Sequence, residues 1–241
     1  MRIVKNKKGQ FIVIAVMMIA LMIVSIGAIM YSAGTYYRQE QWEEYITLVE
    51  HVRLGTVRLV EISLANYTYS PVNNSTLKDN LDQWQNDLRK AYPGYGVALT
   101  YDLDSAAHQV YGTTISYSQG LAYHWNETDS YSAANATFAF DITSVGLEGY
   151  RFMATAFLRL KILMTTTNEI NVTVTGEDGM PITDLKKENF QVDGGLDVTS
   201  VTSTYDPTYI LVYIIKCDGN FPAPVTVTVW DQRGIKVIAK K

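Results

Sequence analysis

The chain has 241 residues, enough for a membrane segment plus one large or two small domains with cores of their own. Lys and Arg number 20 against 24 Asp and Glu, so the net charge of -4 gives no basic field of the kind that attracts nucleic acid, which is therefore not an expected partner. The single cysteine, Cys217, excludes an intramolecular disulfide, and behind the apolar run Ile210 to Ile215 it reads as a buried, unreactive thiol.

The N-terminus carries the strongest pattern. Arg2, Lys5, Lys7 and Lys8 precede Gly9, no further charge appears until Arg38, and Phe11 to Ala33 is almost wholly aliphatic. About 20 apolar residues span a hydrocarbon core, whereas a cleavable secretory signal needs only about 7 to 15, so this run predicts a membrane helix. Basic residues at one end stay cytoplasmic, which places everything after about Tyr37 outside. Tyr31, Tyr36, Tyr37 and Trp42 then fall at the outer interface that amphipathic aromatics prefer.

The stretch Lys7-Lys8-Gly9-Gln10 followed by Phe11-Ile-Val-Ile-Ala-Val resembles the class III signal peptide of type IV pilin-like proteins, particularly archaeal ones. The resemblance covers about thirty residues. It implies a leader marked by Lys7 and Lys8, a prepilin peptidase that cuts between Gly9 and Gln10, and a retained hydrophobic helix that serves as anchor and as the packing core of a filament. Bacterial members carry an acid at the fifth mature position. Here that position is Ile14, which departs from the bacterial pattern more than from the archaeal one. The other reading is a plain signal anchor in which the glycine has no role.

Beyond the span, Trp42, Tyr45, Ile46, Val49, Val52, Leu59 and Val60 recur at helical spacing, which predicts a stem helix running to about Leu64, with Gly55 as a candidate bend. Asn66 to Thr76 reads as a loop. Leu77, Leu81, Trp84 and Leu88 mark one face of a short helix that starts at a Ser75 or Thr76 cap and stops before Pro93-Gly94. Extended segments follow at Val97 to Leu103, Val110 to Tyr117, Ala136 to Ile142 and Tyr150 to Met164, an antiparallel sheet packed on the helices. Thr165 to Asn168 reads as a joint. After it come Ile170 to Val174, a turn at Glu177 to Pro181, Phe190 to Val192, Val198 to Val201 and Tyr209 to Ile215. Val225, Val227 and Val229 then pair with Ile235 to Ile238 across Asp231-Gln-Arg-Gly234. Such short strands predict a β-sandwich, and Thr173 to Val192 resembles the opening of immunoglobulin-like modules on microbial surface proteins.

Catalytic chemistry is thin. His51, His108 and His124 have no spacing that converges on a metal, and each reads as a lone surface or packed histidine. Asp102 and Asp104 share a strand face and form a weak calcium or paired-carboxylate candidate without a third acid. Glu177-Asp178-Gly179 reads as turn chemistry. No phosphate loop, nucleophile elbow or zinc signature is present, so neither an enzyme nor a cofactor is expected. Asn66, Asn73, Asn74, Asn126, Asn135 and Asn171 stand in Asn-x-Ser/Thr, the acceptor pattern for N-linked glycans.

The expected architecture is α+β: a leader (1–9), a transmembrane helix (10–37), a helical stem (38–65), an antiparallel β head with a short helix (66–166) and a C-terminal immunoglobulin-like β-sandwich (167–241). The resemblance implies a single-pass, extracytoplasmic filament subunit with the lipid bilayer, other copies or pilin-like subunits, and a prepilin peptidase as partners. A non-polymerising anchored binding or adhesion protein is the alternative.

Overall fold

The computed structural model describes residues 7–241 except 104, 111, 194, 195, 208, 209 and 222; the side chains of 7–14 and 35–43 are also outside the description. The chain is α+β, with an N-terminal apolar helix and mostly antiparallel sheet. Helix α1 runs from Lys7 to Tyr69. Within it Ala15–Gly34 is long and apolar enough to cross a membrane, and none of this segment is buried by the rest of the chain.

The residues from Arg53 to Lys241 form one compact unit. Its last stretch of α1 buries Thr56, Val60, Ser63, Leu64, Tyr67 and Thr68, and the helix continues about a turn past the expected end at Leu64 because Tyr67 and Thr68 are packed there. Helix α2 (Thr76–Ala91) follows as expected, with Leu77, Leu81 and Leu88 buried. Sixteen residues make a marginal helix on their own, and these leucines, at about 1.5–3 kcal/mol for each buried side chain, hold it by packing. The Trp84 indole N–H donates to Thr56 Oγ1 (3.0 Å) and Asn80 Nδ2 donates to Ser63 Oγ (2.8 Å), which joins α2 to α1.

Gly55 is a close-approach site and not a helix break, since α1 continues through it and a Cβ there would lie 2.9 Å from Trp84 Cζ2. Gly55→Ala ordinarily gains about 1 kcal/mol of helix propensity. Here overpacking against the hydrogen-bonded indole exceeds that gain, and a net loss of about 1–2 kcal/mol is expected in a thermal melt. A raised melting temperature would show that the indole can move aside.

Strands β1 (Val97–Leu103), β2 (Ala107–Val110), β3 (Thr113–Ser116), β4 (Leu121–His124), β5 (Asp129–Ile142) and β6 (Leu147–Thr165) come next. The segment expected as one strand over Val110 to Tyr117 is instead the hairpin β2–β3, turned at Gly112, whose φ of +78° suits glycine. β7 (Glu169–Thr175), β8 (Phe190–Val192), β9 (Val198–Tyr205), β10 (Leu211–Cys217), β11 (Thr226–Trp230) and β12 (Lys236–Lys240) complete the chain. The main sheet has the order β1-β5-β6-β7-β10-β9, with β4 also paired to β5. The expected joint at Thr165 to Asn168 is a tight β6–β7 turn closed by Thr166 N donating to Glu169 O (2.8 Å), and the sheet continues across it.

One face of this sheet is the core. Ala136 and Phe138 on β5, Ala154 and Leu160 on β6, Val172 and Val174 on β7, and Tyr213 and Ile215 on β10 lie in register and are buried. The three-stranded sheet β12-β11-β8 covers part of that face, with the Phe190 and Tyr213 rings 5.4 Å apart and Tyr213 OH donating to Ile182 O (2.7 Å). Helix α2 lies against β1. Gln85 Nε2 donates to Leu99 O (2.7 Å), and the Tyr101 hydroxyl donates to Asp82. Burial, and then that bond, push the Tyr101 phenol up to about 12. On the opposite face the β2–β3 hairpin packs Ile115 on Ala122, Tyr131, Ala133 and Phe157.

Candidate functional site

The first candidate is the apolar segment Ala15–Gly34. Seven Val, Leu and Ile side chains within it, from Val16 to Ile29, are each at least half exposed, and the Ser25 hydroxyl is satisfied by the Leu21 carbonyl (2.8 Å). A polar group closed inside its own helix is compatible with hydrocarbon around it. Lys7, Lys8, Gly9 and Gln10 occupy the first turn of α1, with side chains outside those described; Arg2 and Lys5 lie outside the described residues altogether.

His51 is exposed on α1. His108 on β2 sits beside Tyr117 (6.2 Å between rings), and His124 on β4 stacks on Tyr131 (5.7 Å). Asp102 is exposed on β1 and Asp104 lies outside the described residues. Among the described residues no group of three His, Cys, Asp or Glu is placed to hold a metal. Cys217 is buried, and burial, followed by the nearby Asp218 and Asp197, raises its thiol pKa.

Charge is concentrated at a turn that hydrophobic patterning does not mark. Arg233, between β11 and β12, reaches four acceptors: Asp231 Oδ2 from Nε (2.7 Å), Glu177 Oε1 and Glu61 Oε1 from Nη1 (2.6 and 3.2 Å), and Phe157 O from Nη2 (3.2 Å). Asp231 is almost enclosed, with 3% of its side chain exposed, and its Oδ1 also accepts from the backbone N–H groups of Arg233 (3.0 Å) and Ile235 (2.9 Å). Burial alone would lower the Arg233 pKa; Asp231 and then Glu177 more than offset this and raise it. Glu177 is thus more than a turn residue, because its Oε1 also accepts from Phe157 N (2.6 Å). The arrangement ties α1, the Glu177 turn, β6 and the β11–β12 hairpin together. In sequence, an arginine in a four-residue turn reads as solvent-facing.

A second cluster joins the end of α1 to β4 and β12. The Tyr67 ring meets Tyr123 edge-on (5.8 Å), and Tyr123 meets Trp125 (4.9 Å). Lys236 Nζ lies 5.1 Å from the Trp125 ring centre and 5.9 Å from that of Tyr69. Trp125 Nε1 donates to Ser132 Oγ (3.0 Å), whose hydroxyl donates to Lys236 O (2.6 Å), while Lys236 N donates to Thr68 Oγ1 (3.1 Å). Burial lowers the Lys236 pKa. Tyr69 remains 83% exposed and Tyr123 44% exposed, so the cluster has a packed base and an open top.

Of the sequon asparagines, Asn66, Asn73, Asn74 and Asn126 are exposed, whereas Asn135 and Asn171 are half-buried within β5 and β7. Comparison with protein-family models, curated proteins and solved structures finds no match.

Proposed function

We propose that this chain is a membrane-anchored extracytoplasmic structural protein, a subunit of a type IV pilin-like surface filament, with its N-terminus cytoplasmic. The observation that carries the reading is the apolar segment Ala15–Gly34, none of it buried, inside the unbroken helix α1. Apolar surface of that extent is unfavourable in water, so lipid or other copies of the helix must cover it. A core helix of a soluble protein would be buried in its own chain. The basic residues before Gly9 favour the inside for the N-terminus. The Lys7-Lys8-Gly9-Gln10 resemblance supports prepilin peptidase cleavage between Gly9 and Gln10. β7, β9 and β10 share the main sheet with β1, β5 and β6, so what supports an immunoglobulin-like reading of residues 167–241 is the packing of that sheet on β8-β11-β12, as at Phe190 on Tyr213.

The test separates a filament subunit from a non-polymerising anchored binding protein. Cysteines placed at Ile19 or Ile26 are crosslinked in cells, where the buried Cys217 stays unreactive. A ladder of multimers, together with high-mass fibres released by shearing, is expected. Monomer alone, with nothing released, would replace the filament reading by the solitary anchored protein.

A further inference from the structure

The fold separates six sequons that look alike in sequence. Asn135 and Asn171 lie on strands paired on both sides, β5 between β1 or β4 and β6, and β7 between β6 and β10. Asn66 is exposed, but the hydroxyl residue of its sequon, Thr68, is buried, donates to Ala65 O (3.0 Å) and accepts from Lys236 N. Asn73 Oδ1 accepts from the Ser75 N–H (3.1 Å) and hydroxyl (2.8 Å), and Asn74 Oδ1 accepts from Tyr67 OH (3.0 Å). Asn126 differs in each respect. It is exposed at φ +67° in the β4–β5 turn, and Thr128, its sequon partner, is exposed as well. The turn is held by its backbone: Asn126 N donates to Ile238 O (3.0 Å), Lys240 N to Glu127 O (2.9 Å) and Ile162 N to Thr128 O (2.8 Å).

We propose that Asn126 is the N-glycosylated residue of this chain and that its sugar covers the open top of the Tyr69–Tyr123–Trp125 cluster. Asn126 directly follows Trp125, whose ring leans on Tyr123. Exposed aromatic faces carry negative charge density that attracts the polarised C–H bonds of a pyranose ring. In the attachment, a bond forms between Asn126 Nδ2 and the anomeric carbon of a lipid-phosphate-linked sugar donor. The bond from that carbon to the phosphate oxygen breaks, and the amide proton leaves with the phosphate. The inference rests on the extracytoplasmic placement proposed above.

The experiment uses full-length protein from its native host, wild type and Thr128→Ala, a change that keeps the backbone bond to Thr128 O. Glycopeptide mass spectrometry should find the sugar on Asn126, with Asn135 and Asn171 bare, and its loss in Thr128→Ala. Hydroxyl-radical labelling of Tyr123 and Tyr69 should rise several-fold in that variant. A sugar on another sequon with Asn126 bare overturns the site, and unchanged labelling overturns the covering role. If Asn126 is bare while external protease digests the region after Arg38, the proposal fails and the orientation stands; if that region is protected, both fail.

Discussion

Arg233→Met is expected to lower the stability of the compact unit by about 3 kcal/mol, the lower end of the range for breaking a buried ion pair. Methionine keeps most of the aliphatic stem and removes every guanidinium donor. Asp231 keeps two backbone donors to Oδ1 and loses the partner of Oδ2; Glu177 keeps only Phe157 N. Glu61 and Glu177 retain 26% and 34% side-chain exposure, so water relieves part of the penalty, which is why the loss falls at the low end. For a unit of this size the melting temperature should fall by about 6–12 °C. Glu61→Gln, which removes the most weakly held partner, should cost about 1 kcal/mol or less. Equal losses for the two variants would show that the enclosed charge on Asp231 is not what makes Arg233 costly to remove.

Deleting residues 1–37 is expected to move the protein from the membrane pellet to the soluble fraction with its β-rich circular dichroism intact. The seven Val, Leu and Ile residues of Ala15–Gly34 contribute about 0.3–0.6 kcal/mol each on an insertion scale, about 2–4 kcal/mol together, with Met and Ala adding little cost. One arginine at the helix centre costs about 2.5–3.5 kcal/mol on the same scale, so Ile23→Arg should remove roughly half or more of the insertion free energy and move a measurable share of the full-length protein to the supernatant. The idea fails if wild-type protein stays in the supernatant when membranes are pelleted.

The elements that sequence patterning located best were those with one covered face. α2 reads at period 3.6, and the β11–β12 hairpin reads at period 2, with Val227 opposite Ala239 and Val229 opposite Val237. β5 was expected only from Ala136, yet it starts at Asp129. Its early residues Ser130, Tyr131, Ser132, Ala133 and Ala134 are all buried, because the β2–β3 hairpin covers one face and the core the other, so the alternation that marks a strand is lost. Gly55 read as a weak point since its neighbour Trp84 is 29 positions away in sequence and adjacent only in the fold. Arg233 was missed for the same reason: Glu61 and Glu177 are distant in sequence, and a turn gives no sign that its arginine is enclosed. The six sequons were legible as a pattern, and their accessibility was not.

Helix α1 and the β11–β12 hairpin hold each other across most of the chain: Arg233 reaches Glu61 over 172 residues, and Lys236 reaches Thr68 over 168. During synthesis the end of α1 therefore emerges long before its partner exists. Tyr67 meets Asn74 and Tyr123 earlier, but Thr68 waits for Lys236 N until the hairpin arrives, and closing so long a loop is a slow, entropically costly event that local helix formation does not shorten. A ribosome that stalls before Arg233 therefore leaves Glu61 and Thr68 without the guanidinium and the backbone N–H that they accept from in the finished chain.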